Sequence, residues 1–219
     1  AVMYFHKLNP FSPAKSSRQK QATWALWIKI VIACVPAAVF GLLLDDWMEA
    51  HLYNAYVVAA TLIIYGVLFI VLENSSITAN PSITKVGHIS AKTALFIGLF
   101  QLLSLIPGTS RSGSTILGAM VLGCSRGAAA EFSFFLGIPV MFGASFLKLV
   151  KFFIKGNALT GPQIFYTILG MLVAFGVSVY SIQFLMGYVR RHDFKFFGYY
   201  RIILGIVVLA YFGITALAS

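Results

Sequence analysis

The sequence alternates long apolar runs with short polar segments. Five of the runs are about 20 residues long, the length that a helix needs to cross a hydrocarbon core about 30 Å thick. They cover residues 24–44, 53–72, 132–150, 164–187 and 197–218. None of them shows the strict alternation of apolar and polar positions that is typical of a membrane β-barrel. The pattern therefore predicts five transmembrane helices.

Composition agrees with a membrane protein. Hydrophobic residues make up 59% of the chain and charged residues 10%, with a mean hydropathy of +0.89. Soluble domains carry about 25% charged residues. We therefore predict an all-α, polytopic integral membrane protein in which residues 1–219 form one membrane domain. The net charge of +10 is spread over short loops, which favours contact with anionic membrane lipids and indicates no nucleic-acid partner.

Residues 93–124 break the pattern of full-length spans. Residues 94–106 would make only about 20 Å of helix, and the second apolar half, 116–123, is shorter still. Pro107-Gly108 lies between the halves and is expected to end a helix. We therefore predict a re-entrant helix hairpin over 93–124 that enters and leaves the membrane on one side. A single crossing by the same residues is the alternative.

The charged loops set the orientation. Four basic residues precede the first predicted span: Lys7, Lys15, Arg18 and Lys20. Three acidic residues follow it: Asp45, Asp46 and Glu49. By the positive-inside rule the amino-terminal loop is cytoplasmic and the acidic loop is outside. With a re-entrant hairpin, the later basic cluster on the cytoplasmic side is Arg190, Arg191 and Lys195. A second cluster then lies outside: Lys148, Lys151 and Lys155. A single crossing would exchange these two clusters, so the charge count does not separate the two topologies.

The joint of the hairpin carries the candidate chemistry, Pro-Gly-Thr-Ser-Arg-Ser-Gly-Ser-Thr at 107–115. An arginine near membrane depth costs several kcal/mol and is retained mostly at functional sites. Hydroxyl side chains surround Arg111, and Gly108 and Gly113 allow backbone N–H groups to approach a ligand. This combination predicts a phosphate site, with Thr109 and Ser112 among its ligands. A small-residue turn for helix packing is the alternative, but packing alone does not explain a buried arginine.

A helix that begins at the motif would strengthen such a site. If residues 112–123 are helical, the free N–H groups and the positive dipole end face the turn. Ser110 or Ser112 can cap this helix, and the Arg111 guanidinium matches two phosphate oxygens. The motif is not a P-loop, because it lacks the GxxxxGK[ST] pattern.

Two further charged residues lie in or beside predicted spans. Glu131 is expected in the first turn of its helix, with a structural and a functional role both open. Arg201 lies about one turn into the last span, where a snorkelling anchor and an inward-facing phosphate ligand are equally consistent with its position.

The sequence resembles the bacterial undecaprenyl-diphosphatases linked to bacitracin resistance. The resemblance rests on PGTSRSGST at 107–115 with its lead-in Gln101, on AAEFSFFLGIPVMFGA at 129–144, and on Tyr200-Arg201. It implies a multi-pass enzyme of the bacterial plasma membrane that hydrolyses undecaprenyl diphosphate to the monophosphate. This step recycles the lipid carrier for peptidoglycan, hence for cell-wall biogenesis and cell shape.

The resemblance also implies an architecture and a site. It implies inverted-topology repeats, a pocket open to the outer, periplasmic face and dependence on a divalent cation, Mg²⁺ or Ca²⁺. A homodimer is one possible assembly. Carried onto this chain, the catalytic residues are Ser110, Arg111 and Thr115. The expected phosphate-binding residues are Ser112, Gly113, Thr109, Gln101 and Arg201. Whether serine, histidine or water attacks the phosphorus is left open.

One departure from the family is large. The family carries a Glu-rich segment followed by Pro-x-Ser-Ser-Thr-Gly-His, and these 219 residues contain none. We expect that segment, with the metal-binding carboxylates, upstream of Ala1. The 219 residues alone are therefore predicted to be inactive, and the full-length protein to be the enzyme. A transporter or flippase of a phosphorylated polyprenyl lipid, and a non-catalytic scaffold, are the alternatives.

Overall fold

The protein is all-helical in a computed structural model that describes residues 2–156, 158–189 and 192–218. Eight α-helices follow one another: α1 (Phe5–Leu8), α2 (Ser17–Leu52), α3 (Ala55–Asn74), α4 (Ala91–Leu102), α5 (Arg111–Val121), α6 (Arg126–Ile154), α7 (Gly161–Val189) and α8 (Lys195–Ala218). Short 3₁₀ turns occur at Val2–Tyr4, Ser76–Thr78, Val86–His88 and Leu103–Leu105. The predictions for Arg190 and Arg191 fall outside the described residues.

The five predicted spans are confirmed. Helices α2, α3, α6, α7 and α8 are each long and apolar enough to cross a membrane. The predicted loop at 45–49 is wrong, since α2 continues as a helix to Leu52. No Pro or Gly lies between 42 and 54 to stop it, and acidic residues do not break a helix.

Helix α6 begins earlier than predicted. Its N-cap is Ser125, whose side chain accepts a hydrogen bond from the Ala128 N–H. Glu131 therefore lies in the second turn of α6, and the expectation of a first-turn acid is wrong. Its carboxylate pairs instead with Lys7 at 2.6 Å, which supports the structural role for this residue.

Glycines bring two pairs of helices into close contact. Helices α3 and α8 pack antiparallel: a Cβ at Gly66 would lie 2.7 Å from the Gly198 carbonyl oxygen, and one at Gly205 would lie 2.9 Å from the Ala59 carbonyl oxygen. Helix α4 crosses α2 where a Cβ on Gly98 would lie 2.3 Å from the Ala33 carbonyl oxygen. Any larger residue at these positions would force the helices apart.

Both ends of the segment between α3 and α6 lie at the same end of the bundle. Glu73, near the end of α3, is paired with Arg126 at the start of α6. The loop before α4 also meets the residues after α5, since the Ile83 N–H donates to the Gly123 carbonyl at 3.0 Å and Ser125 N–H donates to the Ile83 carbonyl at 2.8 Å. Helices α4 and α5 therefore run away from this end and return to it.

Candidate phosphate-binding site

The head of α5 is built by the hydroxyl-rich motif itself. The helix begins at Arg111, five residues before the second apolar half at 116–123, because Ser110 caps it. Ser110 Oγ accepts a hydrogen bond from Gly113 N–H at 3.1 Å. The backbone N–H groups of Arg111 and Ser112 have no hydrogen-bond acceptor among the described residues. An open pair of N–H groups at a helix N-terminus favours an anion.

Two hydroxyls accompany these N–H groups. Ser112 Oγ lies 3.2 Å from Ser110 Oγ. Both side chains are half-buried. The structure thus brings Ser110, Arg111 and Ser112 together within the first turn of α5, as the motif predicts. Gly113 is also in this turn, but its N–H is already used by the cap.

Arg111 extends from this turn toward α6. Its guanidinium lies against Gly137, where an added Cβ would be 2.6 Å from Nη2 and 3.0 Å from Nη1. No hydrogen bond or ion pair of this guanidinium is found in the described part of the chain. A partly buried cation without a carboxylate partner is costly, so this one is suited to bind an anionic ligand.

A cavity of about 350 Å³ opens beside Arg111. Its walls are mainly apolar and come from the amino-terminal segment, α6 and α7; they include Tyr4, Phe134, Phe175 and Ile182. A charged group on an otherwise apolar wall suits a ligand with an anionic head and a hydrocarbon tail.

Thr115 lies away from the head of α5. It is 1% exposed, and its hydroxyl oxygen is 2.6 Å from that of Ser133 on α6. The same oxygen is within hydrogen-bond distance of the Arg111 carbonyl, at 3.0 Å. In this structure the Thr115 hydroxyl therefore joins α5 to α6 and forms a hydrogen bond within α5 to the Arg111 carbonyl.

Arg201 reaches the turn at the start of the motif. Its Nη2 donates to the Gly108 carbonyl at 2.8 Å, and its guanidinium carbon lies 5.8 Å from the ring centre of Tyr65. The hydroxyl of Thr109, another predicted ligand, is buried in the same turn and has no hydrogen-bond partner among the described residues. Arg201 thus joins the turn, although no contact between it and Arg111 is found among the described residues.

Gln101 is the most buried of the predicted ligands. It is 1% exposed, and neither its amide nitrogen nor its amide oxygen has a hydrogen-bond partner among residues 2–156, 158–189 and 192–218. An unpaired buried amide is costly, but Gln101 does not line the cavity beside Arg111.

The described residues do not provide a metal site. They contain no group of three or more His, Cys, Asp and Glu side chains close enough to hold an ion. Two carboxylates with little exposure are each neutralised by a cation: the buried Glu73 by Arg126 and the partly buried Glu131 by Lys7.

Sequence reasoning missed four residues that support this site: Thr61, Tyr65, Ser133 and Gly137. All four lie on helices other than those of the motif. Each of these residue types also occurs in apolar helices without any part in a binding site. Ser133 and Gly137 lie within the segment 129–144 that carries part of the resemblance, which is the one sequence signal that pointed to them.

Comparison with known proteins identifies relatives over nearly the whole chain. Residues 1–207 match the family described as "Bacitracin resistance protein BacA". A relative from Streptococcus thermophilus (strain CNRZ 1066), named "Undecaprenyl-diphosphatase", is 58% identical over 210 residues, which cover 96% of this chain and 73% of the relative. Relatives with the same name from Leuconostoc citreum (strain KM20) and Limosilactobacillus fermentum (strain NBRC 3956 / LMG 18251) are 57% identical over 94% of this chain and 73% of the relative, and 55% identical over 98% and 78%, respectively.

Proposed function

Because the chain belongs to the bacitracin resistance protein BacA family, we propose that this protein is an undecaprenyl-diphosphatase. It hydrolyses undecaprenyl diphosphate to undecaprenyl phosphate and inorganic phosphate, in the membrane through which its five apolar helices pass. The release of the monophosphate returns the lipid carrier to peptidoglycan synthesis, and this recycling links the protein to bacitracin resistance.

The observation that carries the site assignment is the unpaired Arg111 guanidinium at the head of α5. It has no hydrogen bond or ion pair among the described residues, and it lines an apolar cavity. The open N–H groups and the Ser110 and Ser112 hydroxyls stand in the same helical turn. Together they supply a charged fork, hydroxyls and a positive helix end to one phosphate group.

This arrangement favours phosphoryl transfer. The bond between the terminal phosphorus and the bridging oxygen breaks, and the bridging oxygen leaves with undecaprenyl phosphate. Negative charge develops on the phosphate oxygens during this step, and fixed donors stabilise it. Water supplies the oxygen that replaces the bridging oxygen on the released phosphate. We propose that Arg111 binds the phosphate oxygens and that Ser110, Ser112 and the α5 N–H groups complete the cradle. The residues of this turn include no base that could activate a serine, so we assign them to binding rather than to attack.

We further propose that α4 and α5 form a re-entrant hairpin. The paired ends at Ile83 and Cys124, and the Glu73–Arg126 ion pair, support a hairpin that returns to its starting side. Its tip contacts Thr61, twelve residues before Glu73 on α3. Those twelve residues correspond to about 18 Å of helix, more than half of a hydrocarbon core about 30 Å thick. A tip past the midplane would place the phosphate site nearer to the outer face.

Labelling of a cysteine at the tip tests the hairpin. We expect Thr109→Cys, in a Cys34→Ala background, to react with a small polar thiol reagent more slowly than a cysteine at Ser82 in the loop before α4. Inorganic phosphate should protect it. The native Cys124 is buried, so it contributes little background labelling. Equal labelling rates at 109 and 82 would refute the hairpin.

The divalent cation, the inverted repeats and a homodimer rest on the family resemblance alone. Dependence on Mg²⁺ or Ca²⁺ is tested by adding and chelating the cation during turnover. The inactivity of the 219 residues by themselves also stays a prediction. It is tested by comparing their turnover with that of the full-length protein at equal concentration.

The experiment that tests the proposed function is phosphate release from undecaprenyl diphosphate by the purified full-length protein in liposomes. We expect inorganic phosphate and undecaprenyl phosphate in equal amounts. Substrate that crosses the bilayer without cleavage would instead support the transporter alternative, and neither cleavage nor crossing would support a scaffold.

A further inference from the structure

One face of α3 packs against the segment that runs from the Pro107-Gly108 turn to the start of α6. Its side chains recur at every fourth residue, which places them on one side of a helix. They are Thr61, Tyr65, Phe69 and Glu73. Thr61 bonds to the Pro107 carbonyl, the Tyr65 ring lies 5.8 Å from the Arg201 guanidinium carbon, and Glu73 pairs with Arg126. The Phe69 ring lies 3.5 Å from the place that a Cβ on Gly113 would take. The segment from the turn to the start of α6 is therefore aligned against a single stripe.

The first of these contacts is made at the turn before the cap. Thr61 Oγ1 lies 2.8 Å from the Pro107 carbonyl oxygen, closer than to the carbonyls of Val57 and Val58 in its own helix, at 3.0 and 2.9 Å. The next carbonyl, that of Gly108, accepts from Arg201 Nη2 at 2.8 Å. Two consecutive carbonyls are thus bonded from α3 and from α8.

The turn also fits closely against α3. Gly108 has φ +82°, a conformation that favours glycine. An added Cβ there would lie 2.2 Å from Thr61 Oγ1 and 2.6 Å from the Val58 carbonyl oxygen. The turn can therefore neither carry a side chain at 108 nor move toward α3. Its position determines where Ser110 and the first turn of α5 begin.

Two contacts fix the Arg201 side chain at this turn. Besides the bond to Gly108, its guanidinium lies over the Tyr65 ring, and its Nε is buried without a partner among the described residues. A guanidinium held between a carbonyl and an aromatic ring has less freedom to follow a ligand than Arg111, which has neither contact.

We propose that Thr61 and Arg201 are positioning residues that hold the Pro107-Gly108 turn so that the head of α5 and Arg111 face the diphosphate. Arg201, expected from the resemblance to bind phosphate, acts here through the backbone of the turn. This inference rests on the proposed function. The inference goes beyond the proposed function because it assigns the orientation of the phosphate site to contacts from α3 and α8.

The kinetic test uses Thr61→Val, which keeps the shape of the side chain and removes the donor, and Arg201→Gln, which removes the charge and keeps an N–H donor. A hydrogen bond is worth about 1 kcal/mol, or roughly a five- to tenfold effect. We expect kcat for undecaprenyl diphosphate to fall about tenfold in each variant. KM and inhibition by inorganic phosphate should stay within about twofold of the wild type. The double variant should lose less than the product of the two single losses, because both act on one turn.

Three comparisons separate positioning from other roles. Thr61→Ser keeps the hydroxyl and should restore kcat, whereas Thr167→Val, which removes a hydroxyl bonded only within α7, should change nothing. Thr109→Cys should react severalfold faster with a polar thiol reagent in the Thr61→Val background than in the wild-type background, because the turn has lost its hydrogen bond to α3.

The outcomes are distinct. If Arg201→Gln raises KM and weakens phosphate inhibition about tenfold while Thr61→Val is normal, Arg201 is a phosphate ligand and the inference is overturned. Loss of folding in Thr61→Val that Thr61→Ser does not repair also overturns it, because a purely structural role then accounts for the residue. If the wild-type protein itself releases no phosphate, it is the proposed function that fails.

Discussion

Gly137 controls where the Arg111 guanidinium can lie. It stands in the interior of α6, and a Cβ at this position would be 2.6 Å from Nη2, 3.0 Å from Nη1 and 3.2 Å from Cζ of Arg111. The atoms that it meets belong to the far end of a flexible side chain. We therefore expect Gly137→Ala to displace the guanidinium rather than the helix.

The size of the effect follows from these distances. Non-bonded heavy atoms are most stable about 3.5–4.0 Å apart, so the guanidinium has to move by about 1 Å. A misplacement of about 1 Å can cost roughly 10²-fold in rate. Stability should change little, since Ala gains about 0.5–1 kcal/mol over Gly in a helix interior and this gain offsets the crowding.

The assay compares kcat/KM for undecaprenyl diphosphate with thermal unfolding in detergent. Gly143→Ala is the matched control: it lies in the same helix and its Cβ would meet nothing within 4 Å. We expect Gly137→Ala to lose about 10²-fold in kcat/KM at nearly unchanged Tm, and Gly143→Ala to keep full activity.

Two results would refute the reasoning. Near-normal activity of Gly137→Ala would show that catalysis does not depend on the position of the guanidinium. A large fall in Tm with a proportional loss of active protein would show that the crowding is relieved by the helices and not by Arg111.

The remaining predictions concern hydroxyls and two ion pairs. We expect Ser110→Ala to lower kcat by about 10²–10³-fold while leaving measurable turnover; trapping of a phosphorylated Ser110 would make it the nucleophile instead. Thr115→Ala should also be strongly impaired but measurably active, because it removes the hydroxyl that joins α5 to α6 at Ser133. Thr115→Ser should keep most of the activity, since it retains the hydroxyl that meets Ser133. Glu73→Gln should lower the free energy of unfolding by about 1–3 kcal/mol, because it breaks an ion pair whose carboxylate is buried. The loss stays below that for a fully buried pair, because the partly exposed Arg126 can be hydrated instead. Lys7→Gln, at an exposed lysine, should change Tm far less, and equal losses would contradict the distinction between the two pairs.

Much of the fold could be predicted because it depends on local properties. Helix length and apolarity identify the five spans without any knowledge of packing. Pro107-Gly108 marks the turn between the two short helices and Ser110 caps the second one, and both signals can be read within a few residues. Helix α4 ends earlier than predicted, at Leu102, where the 3₁₀ turn Leu103–Leu105 follows it. The grouping of Ser110, Arg111 and Ser112 follows from the same local geometry.

The contacts that orient the site could not be predicted, because they join helices far apart in sequence. The sequence around Gly137 carries no signal that this glycine faces Arg111. Thr61 likewise cannot be distinguished in the sequence from a threonine that bonds only within its own apolar helix. The placement of Glu131 failed for a related reason: the start of α6 was taken from apolarity, whereas Ser125 sets it. Thr115 shows the same limit, since only the partner Ser133 places its hydroxyl in the interior.

The central claim is that Arg111 at the head of α5 binds the phosphate groups, and the most direct test is phosphate release from undecaprenyl diphosphate by full-length protein carrying Arg111→Lys. Lysine keeps the charge but cannot bind two oxygens with a planar fork. We predict that this variant expresses and unfolds like the wild type and loses most of its turnover. Turnover close to that of the wild type would contradict the account.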